Sequence, residues 1–131
     1  MFSRLGLISR FSIDEAVLRN FISDVQKNYK RVPYHNFTHA FNICHMCYYI
    51  LRTTKVRDYL EDIDVIAIMI GSLGHDIDHP GVNNLYLQKT RHVFSTTVND
   101  SSILENYHLY MLFKLLTTQK NNILAGLTSA E

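Results

Sequence analysis

The stretch SLGHDIDHPG, residues 72–81, sets His75 and Asp76 side by side, then Asp78 and His79, between an apolar run and a Pro-Gly turn. Imidazole and carboxylate hold divalent metal ions through nitrogen and oxygen, and imidazole also moves protons near neutral pH. The preceding run, VIAIMIGSL from Val65 to Leu73, has so little polarity that a carboxylate at its end should be buried. A buried carboxylate must be paired, hydrogen-bonded or metal-bound, which makes His75 and Asp76 the leading candidates in the chain. Adjacent helical residues point about 100° apart, yet at a helix end both can turn onto one ion.

A second pair, His35 and His39, stands at i and i+4. If both are helical they project from one face, as two metal ligands or as one ligand and one acid-base group; the alternative is a pair of partly exposed histidines near a helix start. Asp78 and His79 fall in the turn before Pro80, where they either support the site from behind or act as solvated turn formers. Glu105 follows Ser102 at capping-box spacing, so closing a helix terminus accounts for it. His45, His92 and His108 have no partner visible from spacing and read as surface or core residues.

The elements that must position these groups are helices. Apolar residues recur at helical spacing in four segments, strict alternation is scarce, and neither Asn-Gly nor Asp-Gly occurs. The first helix is expected to open at Ser12, with Glu15 completing a capping box, and to end near Lys27 to Pro33. It carries Val17, Phe21 and Val25 on one stripe with Leu18, Ile22 and Tyr29 beside it. A second, from His35 or Asn36 to about Arg52, should bury Phe37, Phe41, Cys44, Tyr48 and Leu51. A third, from about Asp62 to His75, opens on EDID, whose acids complement the helix dipole, and is apolar on nearly every face, as suits the centre of a bundle. A short helix near Asn84 to Lys89, a loop, and a last helix from about Ser102 to Leu116 complete an all-α chain.

At 131 residues the chain is at most one domain, short for an enzyme with a complete pocket. A formal charge of +1 with interspersed signs gives no footprint for nucleic acid. Val65 to Leu73 is far too short to span a bilayer. The opening MFSRLGLISRF, with Arg4 and Arg10, faintly resembles a targeting peptide, but its apolar segment is too short for a secretory signal. Cys44 and Cys47 form C-x-x-C inside a helical pattern without a second pair, so they read as buried free thiols in a reducing, cytoplasmic setting.

PYHNFTHA (33–40), GHDIDHPG (74–81) and NDSSILENYH (99–108) resemble, in order, the signature blocks of the class I 3′,5′-cyclic nucleotide phosphodiesterases, within the metal-dependent HD-domain superfamily. The likeness extends upstream through residues 10–36. The resemblance implies a multi-helix HD-domain bundle, here a partial phosphodiesterase catalytic domain, that hydrolyses cAMP or cGMP to the 5′-monophosphate in signal transduction. It implies that His35 is the general acid for the departing O3′, that His39, His75 and Asp76 are metal ligands with Asp76 bridging to a second metal, and that Tyr34 contacts substrate. It makes His79 a partner of the metal-bound waters and Glu105 the residue that orients the nucleophilic water. Two divalent ions are implied, zinc with magnesium or manganese.

The chain departs from the family pattern at Tyr107, where histidine is usual. The family's fourth metal ligand, an aspartate, and the glutamine and aromatic clamp that hold the purine lie downstream of Glu131, so the expectation is the metal-binding middle of a larger catalytic domain, weak or inactive alone. Preference between cAMP and cGMP has no residue here to carry it. The competing expectation is a non-catalytic module that holds metal and associates through an apolar face, including as a homo-oligomer. Another HD phosphohydrolase is the third reading, disfavoured by the YHNFTHA and LEN blocks.

Overall fold

The computed structural model describes residues 1–127, and every regular element among them is helical. Seven α-helices follow in order: α1 Leu7–Arg10, α2 Glu15–Asn28, α3 Phe37–Thr53, α4 Asp62–Gly74, α5 Asn84–Lys89, α6 Val93–Thr97 and α7 Ile103–Leu116. Short 3-10 turns lie at Ser3–Leu5, Lys55–Tyr59 and Gln119–Asn121. The all-α expectation and the central third helix are both met.

Helix α2 starts two residues later than expected. Asp14, not Ser12, is its N-cap, accepting from the amides of Ala16 and Val17, while Ser12 takes a left-handed φ of 50°. The reason lies upstream: α1, which the sequence pattern did not reveal, ends at Arg10, and the chain must reverse before α2 can begin. The α2 stripe packs as expected, with Leu18, Phe21, Val25 and Tyr29 buried. In α3, Cys44 and Leu51 are buried and Phe37 and Tyr48 pack against the core, but Phe41 is exposed. Ala40 takes the inward position instead, because a small residue lets α3 lie close along α4.

Helix α4 contacts α1, α3 and α7 and is the spine of the bundle. Its N-terminus is closed by a reciprocal capping box between Glu61 and Asp64. Val65, Ile66, Met69, Ile70 and Leu73 are buried and hold its last residues, and therefore His75 and Asp76, against a rigid core. Gly74 permits the close approach of α7: a Cβ there would fall 2.7 Å from the Leu112 side chain. Between α5 and α7, where a loop was expected, the chain instead forms α6, and Leu87, Ile103 and Leu104 build a satellite core with Val82, Phe94 and Val98. Packing of the partly buried Phe94 against that core stabilises a five-residue helix that local propensity does not specify.

Candidate metal centre

His75 is the C-cap of α4, and Asp76 begins the turn that follows. His39 lies in the first turn of α3, whose N-cap Asn36 accepts from the His39 amide at 3.2 Å. Because α3 and α4 pack side by side, these ends meet. His39 Nε2 and His75 Nε2 are 3.3 Å apart, and Asp76 Oδ2 lies 3.4 Å from the first and 3.1 Å from the second. Ligands about 2.0–2.1 Å from a tetrahedral ion stand about 3.3–3.4 Å from one another, so the triangle has the edge length that zinc-type coordination requires.

The His75 tautomer agrees. His75 Nδ1 lies 2.9 Å from the Ser72 carbonyl, an acceptor, so the proton sits on Nδ1 and Nε2 presents its lone pair to the triangle. The Asp76 backbone is held too, its amide donating to the buried Tyr29 hydroxyl at 3.2 Å while that hydroxyl donates to Leu73 O at 2.9 Å. Burial pushes the Tyr29 phenol pKa upward, so it remains a protonated donor.

A second group, His35, Asp76 and His79, also has ligand atoms within 4.8 Å of one another. His35 precedes the N-cap of α3 and is not helical, so the i, i+4 geometry with His39 does not apply; the ring centroids are 6.0 Å apart and nearly perpendicular. His35 instead stacks on His79 at 4.0 Å with 14° between planes. His79 is buried and accepts from the Gly81 amide through Nδ1 at 3.0 Å. Burial first, then the neighbouring His35 and His108, lower its pKa to about 4, so it is neutral near pH 7 with its proton on Nε2.

Glu105 does not close a capping box. Ser102 adopts a left-handed φ of 44° and makes no side-chain cap bond, and the Glu105 carboxylate accepts from Asn84 Nδ2 at 3.0 Å. That hydrogen bond is the main cause that lowers its pKa. Glu105 lines an open cleft of about 710 Å³ together with His35, His75, Asp76, His79 and His108. Tyr34 is exposed and lies edge-on to His35 at 4.9 Å and against His39 at 4.7 Å.

Sequence reasoning missed His108. It is 3% exposed, and its Nδ1 bonds the Ile77 carbonyl at 2.6 Å, leaving the Nε2 lone pair buried, without a hydrogen-bond partner among the described residues. That atom faces Asp76 Oδ1 across 3.9 Å, two acceptors that call for a donor or a cation beside them. Its position one after Tyr107 in the LEN block was the available signal. Tyr107 itself donates to Asp78 and stacks on Phe94 at 3.9 Å, and Lys30 Nζ pairs with the other Asp78 oxygen at 3.0 Å.

The described residues form an all-helical bundle whose helix ends converge on a His/Asp cluster that could hold a metal ion. A family model described as 3′5′-cyclic nucleotide phosphodiesterase matches residues 34–131, and the chain belongs to that family. It is 36% identical over its whole length to a dual 3′,5′-cyclic-AMP and -GMP phosphodiesterase 11A of Takifugu rubripes, covering 14% of that protein. It is 39% identical over 94% of its length to a high affinity cGMP-specific 3′,5′-cyclic phosphodiesterase 9A of Drosophila melanogaster, covering 8% of it. The phosphodiesterase domain of the Salpingoeca rosetta rhodopsin phosphodiesterase superposes on 98% of the chain with a TM-score of 0.95 at 32% identity. A second crystal structure of that domain, from the RhoPDE fusion protein, gives 0.94 at 31% identity. The chain spans 39–40% of those solved domains. Among the described residues no helix is long and apolar enough to cross a membrane.

Proposed function

We propose that the chain carries the catalytic metal centre of a 3′,5′-cyclic nucleotide phosphodiesterase, which opens cAMP or cGMP to the 5′-monophosphate. The observation that carries this reading is the donor triangle of His39, His75 and Asp76, with edges of 3.1–3.4 Å. These residues would hold zinc, and Asp76 would also reach a second ion, magnesium or manganese. Such a pair of ions supplies the positive charge that neutralises a phosphodiester and lowers the pKa of water toward neutrality.

The chain's own residues do the rest. His35, at the cleft beside the triangle, gives its proton to the departing O3′, a general-acid task that an imidazole N–H can perform. His79, neutral and stacked on His35, keeps that ring in one orientation and offers Nε2–H to the cleft. Glu105 stays ionised and accepts a hydrogen bond from the attacking water, fixing its approach in line with the P–O3′ bond. Tyr34, exposed beside His35 and His39, flanks the entry of the nucleotide.

The exposed faces of Leu109 and Phe113, which line an apolar groove with Ile66 and Ile70, favour a second reading: a metal-holding module that associates through this surface. Metal content and cyclic nucleotide hydrolysis measured on one purified sample separate the two. Zinc that is lost in His39→Ala and Asp76→Ala, with turnover lost in His35→Ala while zinc is retained, supports the hydrolase. Zinc without turnover supports the module, and a chain that binds no divalent metal refutes both.

A further inference from the structure

We propose that Asn84 is a positioning residue for Glu105, setting the rotamer of that carboxylate across the cleft. The inference rests on the reading in which Glu105 orients the attacking water. Asn84 is the first residue of α5, but the helix does not need its side chain, because Asn83 is the N-cap and accepts from the Tyr86 amide at 2.9 Å. The Asn84 carboxamide reaches across to α7 instead. Its Oδ1 accepts from the Leu104 amide at 2.9 Å, and its Nδ2 donates to Glu105 Oε2 at 3.0 Å.

The two bonds are coupled by the planarity of the carboxamide. A backbone N–H can only donate, so the end that faces Leu104 is the oxygen, and the end that faces Glu105 is the NH2 group. One side chain therefore caps the first turn of α7, the task Ser102 leaves undone, and fastens the carboxylate that the same turn carries. A largely solvated glutamate samples several rotamers; a donor anchored at its other end to the backbone selects one of them. Because an N–H donor favours the charged acceptor, the bond also lowers the Glu105 pKa.

The pair of variants Asn84→Asp and Asn84→Ala separates positioning from capping. Asn84→Asp keeps an acceptor for the Leu104 amide but replaces the donor to Glu105 with a second carboxylate, whereas Asn84→Ala removes both. The Glu105 carboxyl resonance, identified by its loss in Glu105→Gln, is titrated by 13C NMR in the metal-free chain alongside thermal melts. The expected result is an upward shift of the Glu105 midpoint in both variants, with the melting temperature lowered in Asn84→Ala and kept in Asn84→Asp. An unchanged Glu105 midpoint in both would reduce Asn84 to a helix cap and overturn the proposal. Turnover gives an independent reading: Asn84→Asp should lower kcat by about tenfold or more, with no further loss in a Glu105→Gln background. Additive losses in that double variant count against positioning. A shifted Glu105 midpoint in a wild-type chain without turnover upholds the positioning and fails the hydrolase reading.

Discussion

The hydroxyl of Tyr29 lies 3.2 Å from the backbone nitrogen of Asp76, joining the C-cap of α2 to the residue that follows the C-cap of α4 through a buried phenol. The same oxygen donates to Leu73 O at 2.9 Å, so both ends of the helix terminus that carries His75 and Asp76 are tied to α2. The position of the candidate ligand is thus a property of the bundle and not of a loop. A metal site built on such a support needs little reorganisation to bind.

Tyr29→Phe keeps the ring and its burial but strips the partner from the Asp76 amide. The expected cost is about 1–3 kcal/mol, since a buried backbone donor is left unsatisfied. Urea denaturation of the two proteins measures it, and an unchanged midpoint would mean that the amide finds another acceptor.

Zinc should stabilise the chain through His39, His75 and Asp76. At a free concentration one hundred times its dissociation constant the gain is about 2.7 kcal/mol, read as a rise in melting temperature that EDTA reverses. Asp76→Asn and His39→Ala are expected to abolish the rise. Its persistence in either variant would place the ion elsewhere.

His79 makes the metal-free fold sensitive to acid. Its folded pKa is about 4 against an ordinary 6.5. Between those values the unfolded chain holds the extra proton, so stability rises with pH across this window and is fully present above it. Denaturation midpoints at several pH values should climb less steeply in His79→Gln than in wild type. Parallel slopes would assign the acid sensitivity to other groups, His108 among them, whose pKa burial also lowers.

Tyr107→Phe retains the stack on Phe94 and removes the donor to Asp78, a residue at φ 59°. Lys30 still pairs with Asp78, so a loss of about 1 kcal/mol is expected, with zinc affinity unchanged. A fall in zinc affinity would show that the Asp78 turn sets the ligand triangle as well as the fold.

The local code of the chain was readable without coordinates. The apolar periodicity of α2 and α4 specifies these helices because it depends on neighbours within a turn. The HD dipeptide at the end of an apolar helix singled out His75 and Asp76 through the expected cost of burying a carboxylate, although the structure leaves His75 exposed and Asp76 half-buried. The three ordered blocks pointed to the family. Where expectation failed, the deciding contact was distant. Ser12 lost the cap to Asp14 because α1 turns the chain before it, and α6 forms because Phe94 finds Tyr107.

The arrangement of the site belongs to the tertiary structure. No spacing rule joins His108 to Ile77 and Asp76, or Asn84 to Glu105 and Leu104, since these bonds exist only once α5 and α7 pack beside the end of α4. By itself the sequence determined which residues carry nitrogen and oxygen donors and which helices bear them. Packing decided which donors meet, because separations near 3 Å between residues 20 to 40 apart in the chain are set by how helices rest on a shared core.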